Sequence, residues 1–180
     1  MTMHDELILE LIKPNRHGEV GEGALIIKVA GNKNPKYNLE EPRDYQTRDD
    51  AVNRRWSLMT PDITVTIPIE RREIAIELEN DIHWDFGHSL RQVKKYKAQF
   101  DDVRVIIPEG YKRFASLYKN EGFRVYLWNA MRKWECLRCG ANTLKKGPVQ
   151  PKCKNKKCGN TSRNEFRLVG LKDADVEEFM

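Results

Sequence analysis

The chain has 180 residues, 39% of them hydrophobic and 33% charged, with a formal net charge of +5. That length suffices for one domain with a sizeable core and a small appendage. No apolar run approaches the roughly 18–20 residues that span a bilayer, and the acidic start MTMHDELILE lacks a secretory cleavage pattern, so a cytoplasmic protein without a membrane segment is expected.

In chain order, Asp5–Lys13 reads as a short amphipathic helix closed by Pro14, with Asp5 and Glu6 favourable in its first turn. The glycine-rich NRHGEVGEG follows, then the apolar run Ala24–Ala30, ambiguous between a buried strand and a helical turn. Gly31–Arg48, polar and broken by Pro35 and Pro42, reads as a long loop, and Asp49–Ser57 as one or two helical turns. Pro61–Glu79 alternates apolar and polar residues in two runs joined by a charged bend at Glu70–Arg72. Ile63, Val65 and Ile67, then Ile74, Ile76 and Leu78, fall on the apolar side, which predicts a half-buried β-hairpin. After a polar connection, His88–Phe100 reads as a helix and Asp102–Pro108 as a buried strand. Tyr111–Glu121 reads as a helix ending at Gly122, and Phe123–Trp128 as a strand. Strands that follow helices point to right-handed crossovers in a mixed sheet.

The polar side of the hairpin carries three carboxylates, Asp62, Glu77 and Glu79. Carboxylates at short range repel one another unless protonated or bridged by a cation, so the arrangement invites a divalent metal. A strand bearing E-x-E sets two carboxylates on one face about 6.6–7 Å apart, and an Asp from the neighbouring strand completes a cup. Phosphodiester hydrolysis needs a water deprotonated near neutral pH and positive charge on the phosphate, which Mg2+ or Mn2+ supplies. On the next helix Gln92 and Tyr96 share a face one turn apart, with His88 a turn earlier and Lys95 beside them.

Pro61-Asp62, Glu77-Leu78-Glu79 and Gln92-Val93-Lys94-Lys95-Tyr96 together resemble the PD-(D/E)XK nuclease superfamily, over about Leu7–Trp128. The resemblance implies an α/β fold, a restriction-endonuclease-like mixed sheet flanked by helices. It implies Asp62 and Glu77 as the metal-binding acids, Gln92 and Tyr96 shaping the site, and products with 5′-phosphate and 3′-hydroxyl ends. Glu79 stands where the family usually has lysine; some restriction-type members have glutamate there, which implies a role in binding metal or orienting the water, and Lys95 is the candidate to supply the missing ammonium from the helix. Glu6 or Glu10 adds an outer acid, as the first helix does in some relatives. Asp81, His83, Asp85 and His88, in a polar connection, read as surface or substrate contacts rather than as a second metal site.

From Ala130 to Arg167 there are eleven Lys/Arg against two acids, while the remainder holds 21 bases and 25 acids. Within this basic stretch lie all four cysteines, Cys136-x2-Cys139-Gly and Cys153-x4-Cys158-Gly. Two such knuckles suit tetrahedral Zn2+, and the surroundings resemble a zinc ribbon. A disulfide pair and an iron–sulfur cluster are the competing readings. A reducing compartment disfavours the first. Cluster-bearing relatives place a cysteine ahead of the nuclease core, which disfavours the second. A closed four-thiolate site leaves no position for substrate, so the zinc is expected to be structural. Lys145, Lys146, Lys152, Lys154, Lys156 and Lys157 are then left to meet phosphates, and Trp134 and Phe166 either stack on bases or form the module's small core.

The expected organisation is a nuclease-like domain at 1–129, a zinc ribbon at 130–170 and a short acidic tail at 171–180. The expected function is a Mg2+- or Mn2+-dependent DNA endonuclease whose ribbon assists nucleic-acid binding. A non-catalytic nucleic-acid-binding adaptor that retains the fold is the alternative. A zinc-ribbon protein that binds another protein is a third reading. The partner is DNA, whether duplex, branched or single-stranded, without a membrane, and a homodimer is left open.

Overall fold

Alternation of β-branched and polar residues makes a hairpin of the stretch around 61–79, and the rest of a mixed sheet is laid against it. The computed structural model describes residues 3–12, 25–31, 36–39, 61–67, 70–80, 85–146 and 151–180. Two helices come first, α1 (Met3–Ile12) and α2 (Leu25–Ala30). The ambiguous apolar run is therefore a helix, and Ile26, Val29 and Ala30 are its buried positions at helical spacing. Next is β1 (Lys36–Leu39), inside the stretch expected to be a loop; its pairing with the hairpin, Lys36 opposite Thr66 and Leu39 opposite Ile63, makes it a strand.

The hairpin is β2 (Ile63–Ile67) and β3 (Arg72–Leu78), antiparallel with Ile63 opposite Ile76. The chain then crosses over through α3 (Phe86–Tyr96) to β4 (Asp102–Pro108), parallel to β3. Asp85 caps α3, its carboxylate accepting the His88 N–H at 3.1 Å. A second crossover leads to β5 (Arg124–Cys136), parallel to β4. Its helix is not continuous. A 3-10 stretch, Glu109–Phe114, breaks at Tyr111 before α4 (Ala115–Asn120), and Gly122 leaves the helix at φ +85°.

The two faces of the sheet bury separate cores. Ile63, Val65, Ile74, Ile76 and Leu78 pack with Leu7 and Leu11 of α1 and Ile26 and Val29 of α2. Ala75, Val103, Val105 and Val125 pack on the other face with Val93 and Tyr96 of α3 and Tyr118 of α4. Helices thus cover both faces of the β1-β2-β3-β4-β5 part of the sheet. Among the described residues two arginines, Arg104 and Arg132, are almost wholly buried in the sheet. The Arg104 guanidinium pairs with Asp102 at 2.7 Å and donates to the Val29 carbonyl near the end of α2.

The four-cysteine segment is built on the same sheet. β5 continues past Trp128 to Cys136, and its far half pairs antiparallel with β6 (Asn142–Lys146) on one edge. On the other edge β7 (Phe166–Glu178) runs back along nearly all of β5, from Phe166 opposite Cys136 to Glu178 opposite Tyr126. The expected boundary between 129 and 130 therefore falls inside one strand, and residues 171–178 of the expected tail are the second half of β7. Main-chain pairing carried the strand through a change of composition that reads, in sequence, as the end of a domain.

Candidate functional site

One step beyond the Ile63–Ile76 pair, the antiparallel register sets Asp62 opposite Glu77, on the face covered by α3. Both are nearly buried, at 7% and 6% exposure. Asp62 Oδ2 accepts the Leu78 main-chain N–H at 2.7 Å, and the Asp62 main-chain N–H donates to the Glu77 carboxylate. The two acids are therefore locked reciprocally across the hairpin. From the helix, the Tyr96 hydroxyl donates to Glu77 Oε2 at 3.1 Å and itself accepts from Gln92 Nε2 at 2.7 Å. The i to i+4 spacing read in the sequence delivers this relay, because it stacks Gln92 and Tyr96 on the side of α3 that faces β3.

Burial, then the Asp62 charge, then the Glu79 charge push the Glu77 carboxyl well above the usual carboxylate range. Burial first and Glu77 second raise the Tyr96 hydroxyl, which keeps it a donor. Glu79, two residues on and on the same side of β3, is half-buried, and its main-chain N–H donates to the Ile106 carbonyl at 2.8 Å. Lys95 is exposed on α3. Glu10 lies on α1, which packs against the sheet face opposite Asp62 and Glu77. The side chain of Glu6, and Asp81 and His83, lie outside the described residues. His88 is exposed, and Asp85 acts as the helix cap.

The second centre is the cysteine cluster. All four sulfurs lie within 4.8 Å of one another, with Cys136–Cys158 at 3.8 Å and Cys139–Cys153 at 3.5 Å. Four sulfurs at the corners of a tetrahedron about 2.3 Å from a central zinc stand roughly 3.8 Å apart, so the cluster can hold a metal of that kind. The cysteines are free thiols, not disulfides. Among the described residues this is the set of three or more metal-ligand side chains that closes on one point. The acids contribute a facing pair.

Two glycines with left-handed backbone shape the knuckles, Gly140 at φ +70° and Gly159 at φ +58°. The first knuckle closes with Gly140 N–H to the Cys136 carbonyl, and the second with Gly159 N–H to the Asn155 carbonyl. Asn155 thus takes the main-chain place that Cys136 has in the first knuckle, and its side chain accepts the Lys157 N–H at 3.1 Å. That is how a C-x4-C pair makes the turn of a C-x2-C pair.

Against protein-family models, curated proteins and solved structures, the chain finds no match.

The remaining predicted residues divide between surface and core. Lys152, Lys154, Lys156 and Lys157 are exposed around the second knuckle. On β6, Lys145 is half-buried, and Lys146 is exposed with its ammonium 3.9 Å from Glu109. Trp134 and Phe166 pack with the cysteines as the module's core. Sequence reading missed Asn160. It is buried, donates to Cys136 Sγ at 3.4 Å and receives the Ser162 N–H on its own carbonyl. Its hydrogen bond is the main cause that lowers the Cys136 thiol to about 6, while burial raises Cys153 to about 12. The available signal is positional. Cys153 N–H bonds the Asn160 carbonyl as Cys136 N–H bonds that of Ala141, so the two residues are equivalent and only one carries a donor side chain.

Proposed function

We propose that the chain is a metal-dependent phosphodiesterase acting on DNA, with Mg2+ or Mn2+ at Asp62 and Glu77 and structural Zn2+ in the cysteine cluster. The observation that carries the reading is the buried confrontation of Asp62 with Glu77. Two acids at one sheet position, away from water, raise the free energy of the ionised pair, and a hard divalent cation offsets that repulsion. The sheet also supports it. A three-stranded antiparallel meander precedes two parallel strands reached through helices, with the acids at the end of the hairpin beside α3. That order agrees with the restriction-endonuclease-like core the sequence resembles.

A divalent metal bound here would lower the pKa of a coordinated water and offset charge on the phosphate. The chain's own groups do the positioning. Tyr96 fixes one Glu77 oxygen, Gln92 fixes the Tyr96 hydroxyl, and the Leu78 N–H fixes Asp62. Glu79, at the half-buried end of β3, takes the water-orienting role. The four sulfurs would hold zinc with no position left for substrate, so that centre braces the basic module.

Two observations favour the alternative of a non-catalytic DNA-binding adaptor. Glu79 replaces the expected lysine, and the three acids do not close on a common point as the cysteines do. Incubation of plasmid, branched and single-stranded DNA with Mg2+ or Mn2+ separates the two. Cleavage lost in both Asp62→Asn and Glu77→Gln is expected. Cleavage intact in both rejects the assignment, and binding without cleavage under either ion leaves the adaptor.

A further inference from the structure

We infer that the DNA held by this chain is a duplex reaching about seven base pairs beyond the carboxylate pair, gripped through its phosphates by the second cysteine knuckle at a distance set by β5. The position of the cut relative to that grip rests on the nuclease reading; the grip itself does not.

The distance follows from continuity. Trp128, on β5, donates its indole N–H to the Glu79 carbonyl at 2.7 Å, so this point of the strand adjoins the acids. From there β5 runs unbroken to Cys136, whose sulfur belongs to the cluster. Eight residues at about 3.3 Å each, shortened slightly by bulges, span about 25 Å. β7 holds one edge of this segment along its length and β6 the other, so the knuckle is braced at a fixed distance rather than tethered.

The charge is concentrated at the far end. Residues 151–160 hold four lysines and no acid. Lys152, Lys154, Lys156 and Lys157 are exposed, and none has a carboxylate partner among the described residues. Other cations of the module are already engaged, Arg138 with Glu165 and Arg167 with Glu135. The basic surface also starts near the acids. β6 joins β5 on the edge used by β4, beyond the end of β4, and brings Lys146 beside Glu109, the residue that follows β4.

The same module says which form of DNA fits. Binding of single strands relies on exposed aromatic platforms on which bases stack. Trp134 and Phe166 are packed around the cysteines instead. Lysines on a rigid surface meet the regularly spaced phosphates of a duplex, and about 25 Å at 3.4 Å per base pair is roughly seven pairs.

The test is fluorescence anisotropy of the full zinc-loaded chain with duplexes of about 6, 12 and 24 base pairs and with single strands of equal length, without added Mg2+ or Mn2+. Affinity for duplex should rise at least about tenfold from the shortest to the middle length and then level off, with single strands weaker at each length. Replacing Lys152, Lys154, Lys156 and Lys157 by alanine should abolish that rise and reduce the log–log salt slope by about 3–4, with zinc content unchanged. Equal affinity for short and long duplexes, an unchanged salt slope, or single strands binding as tightly as duplex would each overturn the inference. Cleavage is read separately, on the unsubstituted chain with Mg2+ or Mn2+ added: its absence with either ion would sink the nuclease reading and leave this one to the binding data.

Discussion

The Trp128 indole N–H donates to the Glu79 main-chain carbonyl at 2.7 Å, tying the strand that enters the cysteine module to the end of the strand that carries the acids. Trp128 is buried, so Trp128→Phe leaves that carbonyl without its donor in a place water reaches poorly. A stability loss of about 1–3 kcal/mol is expected. Urea unfolding of the variant measures it, and an unchanged midpoint would show that the bond does not brace the junction.

Glu77 links the candidate site to pH. Its folded pKa is raised by burial, by Asp62 and by Glu79, so the folded state holds a proton that the unfolded chain releases at the usual carboxylate value of 4.5. The stability contribution of the protonated group is complete below that value and is lost as pH rises toward the folded pKa. Metal-free protein should therefore lose stability from about pH 5 upward, by at most about 1.4 kcal/mol per pH unit from this group. Glu77→Gln, which cannot ionise, should flatten that decline and melt higher than wild type at pH 8. Melting curves at pH 5 and pH 8 in divalent-free buffer check it, and parallel pH dependence in both proteins is the contrary result.

Some of this was legible in the chain and some was not. The hairpin was legible because apolar and polar residues alternate along both strands, although burial follows that alternation only in β2 while β3 is buried on both faces; Asp102–Pro108 was legible as a run of mostly apolar residues. Gln92 and Tyr96 were legible as a pair because helix geometry alone puts them on one face. β1 was hidden because KYNL is only four residues long, too short for its alternation to stand out between Pro35 and Pro42, and it becomes a strand by pairing with β2, Lys36 opposite Thr66 and Asn38 opposite Thr64. β7 was hidden because its acids and lysines read as solvent-facing tail, whereas its place is set by β5. The joining of module to sheet could not be seen either, since strand continuity across 129–130 belongs to the main chain and the change in composition belongs to the side chains. Asn160 was missed for a different reason. Its role arises only when the second knuckle folds it against Cys136, 24 positions earlier.

Asn160 supplies a prediction for the cysteine centre. Purified protein should carry about one zinc per chain, and Asn160→Ala should weaken its affinity about 10- to 100-fold, as loss of a donor to a ligand atom does. The direction follows from Cys136, whose thiolate Asn160 stabilises more than any other neighbour. Competition with a chromophoric chelator near neutral pH gives the number. Asn160→Asp, which keeps the size but replaces the donor with a charge facing sulfur, should be at least as damaging; wild-type affinity in both variants would remove Asn160 from the site.

The proposed activity requires a cation between two acids that face each other across the β2–β3 hairpin. Crystals grown with zinc and soaked in Mn2+ should show an anomalous peak within coordinating distance of both the Asp62 and Glu77 carboxylates, about 2.0–2.3 Å, absent in Glu77→Gln. A strong zinc signal at the cysteines with no peak between Asp62 and Glu77 would contradict it.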